Sequence, residues 1–163
     1  MNAVVNVDVQ NVSSIAEVPE SELINDWIRE VLSVARPEED SVVEMAVRIV
    51  DEDESRALNK RFRHVDKPTN VLAFPADDVE LAALRDDTEA WLLGDLVICG
   101  PVVVREAVEQ EKDSHNHWLH LLLHGTLHLL GYDHENAQEA AEMESLEARI
   151  LAARGIADPY RDR

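Results

Sequence analysis

The stretch His117-Trp118-Leu119-His120-Leu121-Leu122-Leu123-His124-Gly125-Thr126-Leu127-His128-Leu129-Leu130-Gly131-Tyr132-Asp133-His134 organises the rest of the chain. From Trp118 to Leu130 it is apolar around most of the circumference a helix would present, which predicts a helix buried on nearly every side. The polar exceptions are not scattered. His117, His120, His124 and His128 follow one another by three, four and four residues, which puts all four imidazoles along one helix face. A single buried histidine is ordinarily a satisfied core residue, whereas a stripe of them inside a leucine-rich helix needs a common partner. A cation is the economical one.

A helix buried all round needs a layer to lie against, and the sequence on either side supplies it. Downstream, a helical pattern runs from Glu135 to Arg154, with Gly155 as its stop. Upstream, helical patterns cover Val102 to Glu111 and His115 to Leu130, after Gly100-Pro101. Earlier still, Val5, Val7 and Val9 alternate with Asn6, Asp8 and Gln10, and Val43, Met45, Val47 and Ile49 with Glu44, Ala46 and Arg48, as half-buried strands do. Between them Pro19 opens, and Pro37 closes, a helix carrying Leu23, Trp27 and Val31 beside Ile24 and Ile28. Asp51 can cap another helix, with Leu58 and Phe62 on one side, ending before Asp66-Lys67-Pro68. Val71 to Phe74 and Leu93 to Cys99 read as strands, and the segment from Pro75 to Glu89 as an exposed acidic loop. Strands fall in the first two-thirds and helices in the last third. This predicts an α+β fold of one domain over residues 1–163, a mixed sheet of about four strands packed with about five helices.

His124-x₃-His128 sets two ring nitrogens one turn apart, and Gly131 permits a turn that brings His134 back as a third ligand. The H-x₃-H-x₂-G-x₂-H spacing resembles the metal motif of metzincin peptidases. Three neutral nitrogen ligands leave a fourth tetrahedral position for water, the pattern of a catalytic zinc site, so one Zn²⁺ on His124, His128 and His134 is expected. The general-base glutamate of metzincins has no counterpart, because Gly125 follows the first histidine and can neither take a proton nor orient water. His117 and His120 either line the cleft beside the metal or are ordinary helix-face histidines. Asp133 either orients His134 or the bound water, or caps a helix.

Fifteen basic against 34 acidic side chains give a net charge of −19, which excludes broad phosphate-driven nucleic-acid binding. The charge is uneven. Arg56, Lys60, Arg61, Arg63 and Lys67 place five of the fifteen basic residues in one twelve-residue stretch whose only acid is Asp66, so the chain has one local anion site or one solvated helix face there. The single cysteine, Cys99, sits in an apolar run and reads as a buried small hydrophobe. No run approaches the roughly 20 apolar positions of a membrane span. The N-terminus has neither a basic start nor an apolar signal core, so a soluble, cytoplasmic protein without a membrane partner is expected.

Three strings together carry a family resemblance: His124-Gly125-x-Leu127-His128-Leu129-x-Gly131-Tyr132-Asp133-His134, then Leu58-Asn59-x-x-Phe62-Arg63-x-x-Asp66-Lys67-Pro68-Thr69-Asn70-Val71-Leu72-Ala73-Phe74-Pro75, and Leu93-Gly94-Asp95-Leu96-Val97-Ile98. In order and spacing they resemble the YbeY family of bacterial endoribonucleases, which mature ribosomal RNA. The resemblance spans about Leu58 to His134; Ala73 stands where the family often has serine. It implies a metal-dependent endoribonuclease acting in ribosomal RNA maturation and small-subunit quality control. Ribosomal RNA, the small ribosomal subunit and ribosomal proteins would be its partners. It also implies that His124, His128 and His134 bind zinc and that Arg63 faces the RNA phosphate as a catalytic group. A guanidinium fork suits a non-bridging phosphate oxygen better than an ammonium does. Thr69 and Asn70 are expected to fix the turn into the third strand, and Asp95 to belong to the sheet. The rival readings are an amide hydrolase with another acid in place of the missing glutamate, and a non-enzymatic ribosome-assembly factor with a structural ion.

Overall fold

The computed structural model describes residues 4–39, 41–76, 90–133 and 135–160. The valine alternation becomes β1 (Val4–Asn11) and β2 (Val42–Val50), and the two later apolar runs become β3 (Val71–Pro75) and β4 (Trp91–Cys99). The strands form one sheet in the order β1-β2-β4-β3. β1 and β4 run parallel to β2 while β3 runs antiparallel to β4, so the sheet is mixed, as expected. Five helices lie among the described residues: α1 (Ser21–Ala35), α2 (Glu52–Arg63), α3 (Gly100–Glu109), α4 (Ser114–Leu129) and α5 (Ala137–Ala153).

Strand alternation sorts side chains by face. Val43, Met45, Val47 and Ile49 point with Val5 into the main core, shared with Ile24, Trp27, Ile28 and Val31 of α1 and with the leucines of α4. The Trp27 indole N–H donates to the Leu119 carbonyl at 2.9 Å, pinning α1 to α4. β4 keeps its inward phase only by means of a bulge: Glu44 pairs with Leu92 but Met45 with Gly94. Leu93 is the extra residue, so Trp91 and Leu93 face the core before the irregularity and Leu96 and Ile98 after it. Gly94 has φ +139°, and a Cβ there would lie 2.4 Å from the Phe74 carbonyl oxygen, so no other residue fits. Cys99 is buried at the end of β4, where burial pushes its thiol up.

The opposite face of the sheet carries a smaller core of Val50, Leu72 and Val97 with Leu58 and Phe74. Here the expected apolar side of α2 is only half right. Phe62 remains 52 % exposed, meeting Phe74 edge-on with ring centroids 5.1 Å apart, and the buried positions of α2 are the polar Ser55 and Asn59. Ser55 Oγ donates to the Thr69 carbonyl and accepts from the Thr69 N–H, both at 3.0 Å. Asn59 Nδ2 donates to the Lys67 carbonyl at 2.8 Å. Polar bonds, rather than grease, tie α2 to the loop before β3.

Some expected ends move. Asp51 stands at the N-cap of α2, but its carboxylate accepts from Ser14 N–H and hydroxyl instead of capping the helix. α2 stops at His64, left-handed with φ 61°, before Asp66-Lys67-Pro68 as expected. α3 starts at Gly100 with Pro101 in its first turn, where a missing N–H costs nothing. Asn136, not Asp133, caps α5, accepting from Glu139 N–H at 2.9 Å. The expected acidic loop lies outside the described residues over 77–89. No described helix is long and apolar enough to cross a membrane.

Candidate metal centre

α4 begins where Asp113 accepts from the Asn116 N–H at 3.1 Å, and it lies over β3 and β4. Gly125 is what lets it lie so close. A Cβ there would stand 2.8 Å from Leu96 Cδ2 and 3.1 Å from Val71 Cγ2. The position that carries the catalytic glutamate in metzincins therefore faces the sheet here.

The four histidines of the stripe do not all share one partner: His117 turns to a different carboxylate, while His120, His124 and His128 stay linked through Glu147 and the His124–His128 contact. His124 and His128 face each other with their Nε2 atoms 3.1 Å apart. His120 Nε2 lies 3.1 Å from Glu147 Oε2 and 3.2 Å from the Tyr160 hydroxyl. His117 is buried and directed elsewhere, its Nε2 3.0 Å from Glu106 Oε1. Glu106 also accepts from Asn70 Nδ2 at 3.0 Å, and Asn70 Oδ1 accepts from the Val71 N–H at 2.7 Å. His117 thus belongs to the joint between α3, α4 and the start of β3, and Asn70 fixes that turn as expected.

Glu147, on α5, is the residue the sequence reading missed. Its side chain is 0 % exposed, its Oε1 lies 2.5 Å from His124 Nδ1, and its Oε2 accepts from the Tyr160 hydroxyl. Burial works to raise this carboxyl, but hydrogen bonds from His120 and His124, the charge of His124 and the Tyr160 hydroxyl outweigh it. Together they hold Glu147 down at about 2. A signal for it existed. Met143, Glu147, Ile150 and Leu151 share the buried side of α5, so a charged residue occupies a core phase of that helix.

Two groupings of donors are present. One is His120, His124 and Glu147, whose ligand atoms lie within 4.8 Å of one another. The other is the convergent pair His124 and His128; the third expected ligand, His134, lies outside the described residues. The pair fits a zinc ion by its chemistry and spacing: both donors are imidazole nitrogens, and a tetrahedral ion with Zn–N of about 2.0–2.1 Å holds its nitrogens about 3.3 Å apart. His124 is 25 % exposed on its side chain, so the pair is open to solvent.

Arg63 is the last residue of α2 and is exposed. The structure does not bring it into contact with the histidines among the described residues. Within the basic stretch, Arg56 is spent on Asp66 at 2.7 and 3.3 Å, and Arg61 lies over the Phe62 ring at 5.2 Å. Arg63 makes no ion pair among the described residues.

A mixed sheet under a buried histidine helix, with convergent ring nitrogens on its open side, defines a small α+β protein built round a candidate metal centre. The chain belongs to the endoribonuclease YbeY family, whose model matches residues 8–155. It is 52 % identical over 148 residues to an endoribonuclease YbeY of Halorhodospira halophila, covering 91 % of this chain and 92 % of that one. To that of Idiomarina loihiensis it is 47 % identical over 155 residues, covering 94 % and 90 %. The fold is also similar to the solution structure of TM1509 from Thermotoga maritima, with TM-score 0.56 and 23 % identity over 96 % of this chain and 99 % of that one.

Proposed function

We propose that this chain is a cytoplasmic, metal-dependent, single-strand-type endoribonuclease that hydrolyses RNA phosphodiesters. It acts as one domain over residues 1–163, in rRNA maturation and small-subunit quality control, with the small ribosomal subunit and its proteins as partners. RNA hydrolysis is supported by the family, whose members above are named endoribonucleases. The observation that carries the metal reading is the convergence of His124 and His128 Nε2 at 3.1 Å on the open side of a buried helix, with His134 as third ligand. A Zn²⁺ bound there supplies Lewis acidity towards water or a phosphate oxygen. Arg63 contributes a guanidinium fork that no carboxylate neutralises among the described residues, suited to two phosphate oxygens as charge builds in the transition state. Gly125, facing the sheet, gives no group for peptide hydrolysis by the metzincin route.

The competing ligand set is His120, His124 and Glu147. Distance alone does not separate the two sets, since His124–His128 at 3.1 Å and the Glu147 contacts at 2.5 and 3.1 Å all lie in the hydrogen-bond range. The His128 side is preferred because a carboxylate bonded to the other ring nitrogen is the usual partner behind a histidine ligand. Metal analysis with single-turnover RNA cleavage, before and after chelation, tests the assignment. His124→Ala and His128→Ala are expected to lose zinc and cleavage together, and His120→Ala to keep its zinc. Arg63→Ala keeps zinc but cleaves about 10²–10³-fold more slowly, and Arg63→Lys recovers part of that. Stoichiometric zinc in His128→Ala with loss in His120→Ala moves the metal to the other cluster. Wild-type cleavage by a zinc-loaded Arg63→Ala removes Arg63 from the reaction.

A further inference from the structure

Neither the ligand set nor Arg63 makes use of the carboxylate most deeply buried beside the centre. Glu147 comes from a helix whose other buried side chains are Met143, Ile150 and Leu151, where an isolated charge would be costly. Three donors converge on it instead: His124 Nδ1 on Oε1 at 2.5 Å, His120 Nε2 on Oε2 at 3.1 Å, and the Tyr160 hydroxyl on Oε2. An ionised carboxylate can only accept, so the hydrogen of a neutral His124 ring must sit on Nδ1. The lone pair is then on Nε2, the atom aimed at His128.

We propose that Glu147 is a positioning residue of the metal centre, fixing the tautomer and orientation of His124 through Oε1 while His120 and Tyr160 hold Oε2. The inference rests on His124 and His128 being the ligands. His120 fits the scheme independently: its Nδ1 has no hydrogen-bond partner among the described residues, as the unprotonated nitrogen of a ring that donates through Nε2. Tyr160 brings the C-terminal segment into the same device. Gly155, at φ 75°, reverses the chain after α5, and the Tyr160 ring returns edge-on to His120 with centroids 5.6 Å apart. A carboxylate behind a histidine ligand sets which nitrogen faces the ion and raises its basicity, and removing such a partner costs about 10–100-fold in metal affinity.

The test is Zn²⁺ affinity of the purified full chain, by competition with a chelating indicator at fixed pH, together with ring ¹⁵N shifts of His124 in the zinc-loaded protein. The wild type is expected to show protonated Nδ1 and ligating Nε2 on His124. Glu147→Ala is expected to bind zinc about 10–100-fold more weakly. Glu147→Gln, which keeps an acceptor oxygen, loses less, and Tyr160→Phe less still with the His124 tautomer unchanged. Should Glu147→Ala fail to fold, the wild-type spectrum and the two milder variants still decide. A His124 that ligates through Nδ1 overturns the proposal outright, as does wild-type affinity across the folded Glu147 variants while His128→Ala is zinc-free. Retained zinc in His128→Ala instead removes the ligand reading, and zinc-free Glu147→Ala beside it makes the carboxylate a ligand.

Discussion

Gly125 separates this site from the peptidases whose histidine spacing it shares. A glutamate there would be driven between α4 and the β3–β4 edge, against Leu96 and Val71, away from the convergent nitrogens. Gly125→Glu is therefore expected to gain no chelator-sensitive peptide cleavage. It should also lose stability at the exceptional end of single substitutions, about 4 kcal/mol, because a charge enters a closed apolar contact. Gly125→Ala sets a helix-propensity gain of about 1 kcal/mol against overpacking of about 1–3 kcal/mol, so it falls between. Urea unfolding and a peptide panel read both effects; a Gly125→Glu protein of wild-type stability that cleaves peptides would show that the position faces the metal. The histidine pair was legible in the sequence because i, i+4 spacing fixes a shared face whatever the tertiary structure. Glu147 was not, because its meaning comes from the phase of α5 against α4, which a reading of helix limits alone leaves out. Tyr160 lies beyond any periodic pattern, and only the chain reversal at Gly155 brings it back.

Between elements, polar groups do more of the joining than hydrophobic periodicity foretells. α2 was expected to dock through Leu58 and Phe62, yet Ser55 and Asn59 are its buried positions, because a short amphipathic helix over a small second core must also satisfy the loop beneath it. Glu106 plays the same part for α3, joining His117 of α4 and Asn70 ahead of β3. Burial works to raise its carboxyl, but the hydrogen bonds from His117 and Asn70, with the nearby charges of His117 and Lys112, win and hold it below the usual carboxylate range. Its folded pKa is thus lower than its unfolded one. The unfolded chain binds the proton first as pH falls, so this stability is fully present above the ordinary carboxylate pKa of about 4.3. It is lost as pH drops from there through the folded value. Glu106→Gln should be less stable than wild type at pH 7, with the gap closing towards pH 3.5. Urea unfolding of chelator-treated protein across that range checks it, chelation keeping metal release out of the comparison. A gap that stays constant with pH would mean the bond, and not the charge, carries the effect.

For the molecule as a whole, the α+β layering and mixed sheet were legible because β1, β2 and the leucine-rich helix each hold one period throughout. The β4 bulge was not, since one extra residue looks like continued apolar sequence until a partner strand fixes the register. The charge distribution has consequences that neither fold nor site shows alone. With a net charge of −19, the protein as a whole repels RNA at a distance, and the proposed contact falls on the basic stretch, where positive side chains are most concentrated in the sequence. There Arg56 is already neutralised by Asp66, leaving Lys60, Arg61, Arg63 and Lys67. If all four meet phosphates, counterion release from a single strand gives a log–log salt slope of about −3, at about −0.7 per phosphate. Salt also screens the repulsion from the acidic remainder, which opposes the loss and makes the slope shallower still. Binding of a short single-stranded RNA to chelator-treated protein, followed by fluorescence anisotropy between 50 and 200 mM salt, should therefore give a slope between 0 and about −3. Arg63→Ala should reduce its magnitude by less than one unit. A slope steeper than about −5 would require more phosphate contacts than this stretch can make, and would place the RNA on a second basic surface.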